Sequence, residues 1–137
     1  MLSVTYRRLA SFIPPEKIIV ITVREQVEIA RDELPDLPGE NFIAEPDGRN
    51  TAPALALGAL AVMERSDDEP MLTCPADHLI SREDNFRSLA EQASRFAERE
   101  NVFITFGIMP EYPATGYGYI EAGDPLGYGE LNVRRVV

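Results

Sequence analysis

Short apolar runs rich in β-branched residues alternate with segments of helical spacing along this chain, and that alternation constrains its fold more than any other feature. The runs are KIIVIT (residues 17–22), NFIAE (41–45), MLTC (71–74) and VFITFGI (102–108). All four read as strands, and the continuous apolar, β-branched run KIIVIT reads as one buried on both faces. Between them lie helical patterns. Residues 1–12 place Leu2, Tyr6 and Leu9 at helical spacing with Arg7 and Arg8 to one side, and Pro14 and Pro15 end the helix. Residues 24–34 are helical up to Pro35 and Pro38. Residues 51–65 begin with Thr51 as a capping hydroxyl and Pro53 in the first turn, where its missing N–H costs nothing. Ala54, Leu55, Leu57, Ala59, Leu60, Val62 and Met63 leave that helix hardly any polar face, so it is expected to pack deeply. Ser81-x-x-Asp84 reads as a capping box before the stripe Phe86, Leu89, Ala90, Ala93, Phe96, Ala97. GYGYIEA and LNVRRVV read as strands of a less regular region.

Strands alternating with helices give βαβ units. The expected fold is α/β: a Rossmann-like, doubly wound, mostly parallel sheet with helices on both faces, formed by residues 1–137 as one partial domain. Ligands bind such sheets beyond the carboxyl ends of the strands, which directs attention to residues 45–51, 75–78 and 110–119.

The net charge of −10 argues against broad phosphate-backbone binding, so nucleic acid is not an expected partner. A single triphosphate is still compatible with that charge, since a few backbone N–H groups and a metal ion suffice to hold it. No run approaches the ~18 apolar residues of a membrane span. The N-terminus has neither the apolar stretch nor the cleavage site of a signal peptide. Cys74 is the only cysteine, which rules out an intrachain disulfide. The expectation is a cytoplasmic protein without membrane partners.

Three segments carry candidate chemistry. EPDGRNTAPA follows a strand and opens a helix, so Asn50, Thr51 and Ala52 offer free backbone N–H groups at a positive helix end. Gly48 permits close backbone approach, Glu45 can accept from a base edge, and Arg49 and Asn50 can donate to base, ribose or phosphate. The same residues also suit an ordinary connection in which Thr51 caps the helix and the charges are solvated. In CPADH, Asp77 follows a strand and a stiffening proline, a fitting place for a magnesium ligand shared with substrate phosphates. Asp77 as a turn cap and His78 as a hydrogen-bonded strand-end histidine are the plainer alternatives. Cys74 reads as core, with no base partner to activate it. In PATGYGYI, Thr115, Gly116, Tyr117, Gly118 and Tyr119 combine backbone amides, hydroxyls and rings suited to a sugar, or else form a glycine-rich hairpin.

Taken in order, EPDGRNTAPALAL, PADH and FGIMPEYPATGYGYIEAG resemble the mannose-1-phosphate guanylyltransferases, members of the sugar nucleotidyltransferases. The resemblance covers nearly the whole chain. It implies a nucleotide-diphospho-sugar transferase fold and transfer of GMP from GTP to mannose 1-phosphate, giving GDP-mannose and pyrophosphate. It also implies that Glu45, Arg49, Asn50, Thr51 and Ala52 line the nucleotide site. Asp77 would bind the catalytic Mg²⁺, and residues 115–119, chiefly Gly118 and its neighbours, would line the sugar pocket. Family members carry an N-terminal glycine-rich loop ending in lysine, and later an EKP segment, an asparagine-containing strand and a second metal-binding aspartate. None of these is in this sequence. The expectation is therefore a polypeptide inactive alone, with the KIIVIT and MLTC edges covered by a homo-oligomer or a complementing segment. Two other readings stay open: a nucleotidyltransferase for another nucleotide and sugar, and a non-catalytic nucleotide-binding or interaction module.

Overall fold

A computed structural model of the chain describes residues 1–48, 50–66, 69–126 and 131–136. It divides into two compact units, Met1–Val102 and Phe103–Val137. In the first unit, helix α1 (Leu2–Ala10) leads through a 3₁₀ turn at Pro15–Lys17 into strand β1 (Val20–Val23). Helix α2 (Val27–Glu33), entered by a 3₁₀ turn at Arg24–Gln26, crosses to strand β2 (Phe42–Glu45). Helix α3 (Thr51–Arg65) and helix α4 (Glu83–Glu100) follow.

β1 and β2 pair in parallel, with Val20 opposite Phe42 and Val23 opposite Glu45. A parallel pair needs a crossover, and α2 supplies it. The core of the unit gathers under that crossover: Ile18, Val27, Ala30, Leu34, Leu37 and Phe42 are buried, with Leu2, Tyr6, Leu9, Ala10, Ile13 and Val20 packed against them. The 1–12 stripe and the 24–34 helical segment are thus expressed as read. Prolines 14, 15, 35 and 38 punctuate them where expected.

One polar residue ties this core together. Asn41 is 2% exposed, and its Nδ2 donates to the carbonyls of Pro15, Glu16 and Ile18 at 3.1, 3.2 and 2.8 Å. Its Oδ1 accepts from Arg65 Nη1 at 2.7 Å, while Arg65 Nη2 donates to the Glu40 carbonyl at 2.9 Å. Buried amides persist where their bonding capacity is met in this way. Asn41 therefore fastens the start of β2 to the entrance of β1 and to the end of α3.

The structure departs from the expected strands at two places. Residues 71–74 form no strand, with Leu72 and Cys74 half-buried and Met71 and Thr73 exposed, and they pair with no strand among the described residues. Residues 102–108 likewise form no ladder, and Phe103 and Ile108 are exposed. An apolar run becomes a strand only when a neighbour satisfies its backbone N–H and C=O groups. The parallel sheet of the described residues accordingly holds two strands. α3 spans the residues expected of it, yet only Gly58 is buried, and Leu60 and Met63 are exposed. A Cβ at Gly58 would lie 3.0 Å from Ile21 Cδ1, so the glycine lets α3 sit close on β1. The capping-box expectation is also corrected. α4 starts at Glu83 with Arg82 at its N-cap and no side-chain cap. Its stripe is oriented much as read, with Ala90 buried and Phe86, Ala93, Phe96 and Ala97 half-buried, but Leu89 is exposed.

The second unit contains an antiparallel hairpin, strands β3 (Ile120–Pro125) and β4 (Leu131–Val136), with register shifts between Glu121 and Ala122 and between Ala122 and Pro125. Glu121 accepts from Arg135 Nε at 2.7 Å and from Arg134 Nη1 at 3.3 Å. No helix among the described residues is long and apolar enough to cross a membrane.

Candidate functional site

The connection from β2 to α3 leaves the carboxyl end of the parallel pair. Glu45, the last residue of β2, is half-buried opposite Val23. Behind it the chain turns at Pro46 and Asp47, and a Cβ at Gly48 would stand 3.1 Å from Val23 Cγ1. The loop therefore lies against the end of β1, an approach that a side chain at position 48 would crowd. Asn50 is the N-cap of α3 and has φ 66°, ψ −169°, a conformation essentially reserved for glycine. Such backbone strain costs about 1–3 kcal/mol and gathers at functional sites. Thr51 is the first residue of the helix and provides no side-chain cap, so its predicted capping role is corrected. Among the described residues no side chain caps this helix, and the N–H groups of Thr51 and Ala52 lie at the positive end of its 15 residues. Asn50, Thr51 and Ala52 are exposed, whereas Arg49 lies outside the described residues.

Asp77 sits on a different segment, in the turn that follows residues 71–74. It is exposed, and both flanking carbonyls are held by α1. Thr5 Oγ1 donates to the Ala76 carbonyl at 3.2 Å, and Arg8 Nη2 donates to the His78 carbonyl at 3.4 Å. Thr5 and Arg8 are 4% and 3% exposed. The guanidinium of Arg8 also lies 3.6 Å from Glu83 Oε1, an ion pair without hydrogen-bond geometry at Nε, and 5.8 Å from the Phe86 ring centroid. The sequence reading did not find this role, because it placed Arg8 with Arg7 only to one side of the helix. The cue the sequence did contain was the i, i+3 spacing of Thr5 and Arg8, which puts both on one helix face.

No group of three or more potential metal ligands occurs among the described residues. One exposed carboxylate fits a hard cation that takes most of its remaining ligands from phosphate and water. It does not fit a metal caged by protein. Cys74, just upstream, is half-buried; burial pushes its thiol up, with the Arg8 charge opposing more weakly, so it stays a protonated neighbour of the core.

In the second unit, Thr115, Gly116, Tyr117 and Gly118 are exposed and Tyr119 is half-buried. The Tyr119 hydroxyl donates to the Ala114 carbonyl at 3.0 Å, which folds the turn back on itself just before β3. The structure thus gathers Glu45, Asn50, Thr51 and Ala52 on one connection, holds Asp77 on a second segment, and presents residues 115–119 on the other unit.

The whole chain, residues 1–137, matches the protein family described as Nucleotidyl transferase. It is 44% identical over 128 residues to the mannose-1-phosphate guanylyltransferase of Escherichia coli K12, covering 90% of this chain and 26% of that protein. It is 43% identical to the mannose-1-phosphate guanylyltransferase ManC of Salmonella typhimurium, with 90% and 26% covered. The xanthan biosynthesis protein XanB of Xanthomonas campestris is 38% identical, with 100% and 29% covered. The chain therefore spans between a quarter and three tenths of the length of these relatives. Matched along its full length, with its βα connection at the expected strand end, the chain belongs to the nucleotidyl transferase family.

Proposed function

We propose that this chain is part of a cytoplasmic nucleotidyltransferase that transfers GMP from GTP to mannose 1-phosphate, yielding GDP-mannose and pyrophosphate. The observation that carries the proposal is the connection from Glu45 to Ala52. It is a polar loop at the carboxyl end of a parallel pair, opening a helix whose first N–H groups have no side-chain cap. The relatives' names supply the nucleotide and the sugar. In this reading Glu45 accepts from the base edge, and Arg49 and Asn50 donate to base or ribose. The N–H groups of Thr51 and Ala52 face negative charge. Asp77 is the chain's ligand for Mg²⁺, which when bound neutralises charge on the phosphates as the sugar phosphate attacks in line. Thr115, Gly116, Tyr117, Gly118 and Tyr119 contribute to the sugar subsite.

The 137-residue polypeptide by itself is proposed to lack measurable turnover, since it brings one metal carboxylate and about a quarter of the relatives' length. Amide NMR of the purified chain, titrated with GTP and then with GTP and Mg²⁺, tests the binding half of the proposal. Saturable shifts at residues 45–52 with GTP but not with ATP, UTP or dTTP are expected. Equal shifts with all four nucleotides would assign the loop to phosphate recognition without base selectivity, and no shifts would remove it from the nucleotide site.

A further inference from the structure

We propose that Thr5 and Arg8 of α1 are positioning residues for Asp77. The inference rests on the reading of Asp77 as a metal-binding carboxylate and adds the machinery that presents it. Asp77 is followed by no helix for five residues, and residues 71–74 before it pair with no strand among the described residues, so local secondary structure does not fix it. What fixes it is tertiary. The carbonyl before it accepts from Thr5 Oγ1 at 3.2 Å, and the carbonyl after it accepts from Arg8 Nη2 at 3.4 Å. Both donors come from almost fully buried side chains three residues apart on one helix. With the main chain pinned inward on both sides, the side chain of Asp77 is left exposed.

Arg8 is suited to the task. Its guanidinium is held at the same time by Glu83 in the first turn of α4 and by the face of Phe86. One buried cation thus joins α1, the Asp77 turn and α4. A buried hydrogen-bonded charge keeps a single geometry more strictly than a solvated one. Outer-sphere partners that orient a metal ligand typically change metal affinity by about 10–100-fold when removed.

The test uses the full chain and the variants Thr5→Val, Thr5→Ser and Arg8→Lys. Valine keeps the volume of threonine and removes only the hydroxyl; serine retains the hydroxyl. Two readouts are taken: amide order parameters and hydrogen exchange at residues 76–78 without ligand, and Mn²⁺ affinity in the presence of GTP by water-proton relaxation. Expected for Thr5→Val and Arg8→Lys are faster exchange and lower order at residues 76–78, with α4 unchanged in Thr5→Val, and Mn²⁺ binding roughly tenfold weaker. GTP affinity without metal should stay unchanged, and Thr5→Ser should restore both readouts. Unchanged order at residues 76–78 in both variants would overturn the inference, as would a loosened turn that leaves Mn²⁺ affinity intact. If wild-type chain takes up no Mn²⁺ while the variants still loosen the turn, the hold on the turn stands and the metal reading of Asp77 falls instead.

Discussion

The unit Met1–Val102 and the unit Phe103–Val137 are built on different physics. The first buries a contiguous apolar cluster beneath a βαβ crossover and bolts it with a satisfied amide, Asn41. In the second, no described residue is buried, and its hairpin depends on a backbone ladder and the pairing of Arg134 and Arg135 with Glu121. An isolated two-stranded hairpin is in general marginal in water, whereas a buried cluster with a fixed polar tie is cooperative. The candidate residues divide along the same line. Asp77 and the β2–α3 connection stand on a packed scaffold, and residues 115–119 stand on the hairpin's exposed approach.

The sharpest way to break this contrast is Asn41→Ala. It removes the donor to the carbonyls of Glu16 and Ile18 and the acceptor of Arg65 Nη1, while the Pro15 carbonyl keeps the Ile18 N–H and Arg65 Nη2 keeps the Glu40 carbonyl. Each buried acceptor left unpaired costs about 1–3 kcal/mol, so a loss of roughly 3–5 kcal/mol is expected in urea unfolding followed by far-ultraviolet circular dichroism. A loss under about 1 kcal/mol would show that water replaces the amide and that the tie is incidental.

A paired truncation comes next. Leu34, 2% exposed, lies in the cluster, while Val133 is 50% exposed on β4. Leu34→Ala should cost about 2–4 kcal/mol, and Val133→Ala no more than about 0.5 kcal/mol. Similar costs at the two sites would mean that the hairpin is packed as firmly as the cluster, and the contrast would dissolve.

The smallest effect concerns acid. Glu33 accepts the Ser3 backbone N–H at 3.0 Å, and this bond, helped by the Ser3 side chain, holds its carboxyl below the usual carboxylate range. A carboxyl depressed in the folded state contributes stability above its unfolded value, near 4.3, and loses it as pH falls through the folded value. Glu33→Gln should therefore lower the thermal midpoint slightly at neutral pH and converge with wild type in acid. Because Glu33 is fully exposed to solvent, the difference is expected to be small and to shrink further in salt. Parallel curves down to pH 2 would assign the bond no role in stability.

Much of the first unit was legible because its signals are local. The β-branched runs around Val20–Val23 and Phe42–Glu45, the prolines that end α1 and α2, and the apolar register of 51–65 each act within a few residues of themselves. The polar loop at the mouth of α3 was legible for the same reason: a helix start is written in its own first turn. The strands expected at 71–74 and 102–108 misled because pairing is not a property of one segment. Their residues favour extended backbone, but no partner among the described residues completes a ladder.

By itself, then, the sequence determined where the chain turns, which stretches are helical, and which polar loop opens α3. Only the tertiary structure decided that Arg8 is buried and clamps the turn at Asp77, that Asn41 lies inside the core rather than starting a strand, and that Leu60 and Met63 face outward on an almost wholly apolar helix. The physical reason is range. Backbone propensity and capping act over one turn of chain, whereas burial and the pairing of a buried charge or amide depend on residues between 23 and 75 positions away.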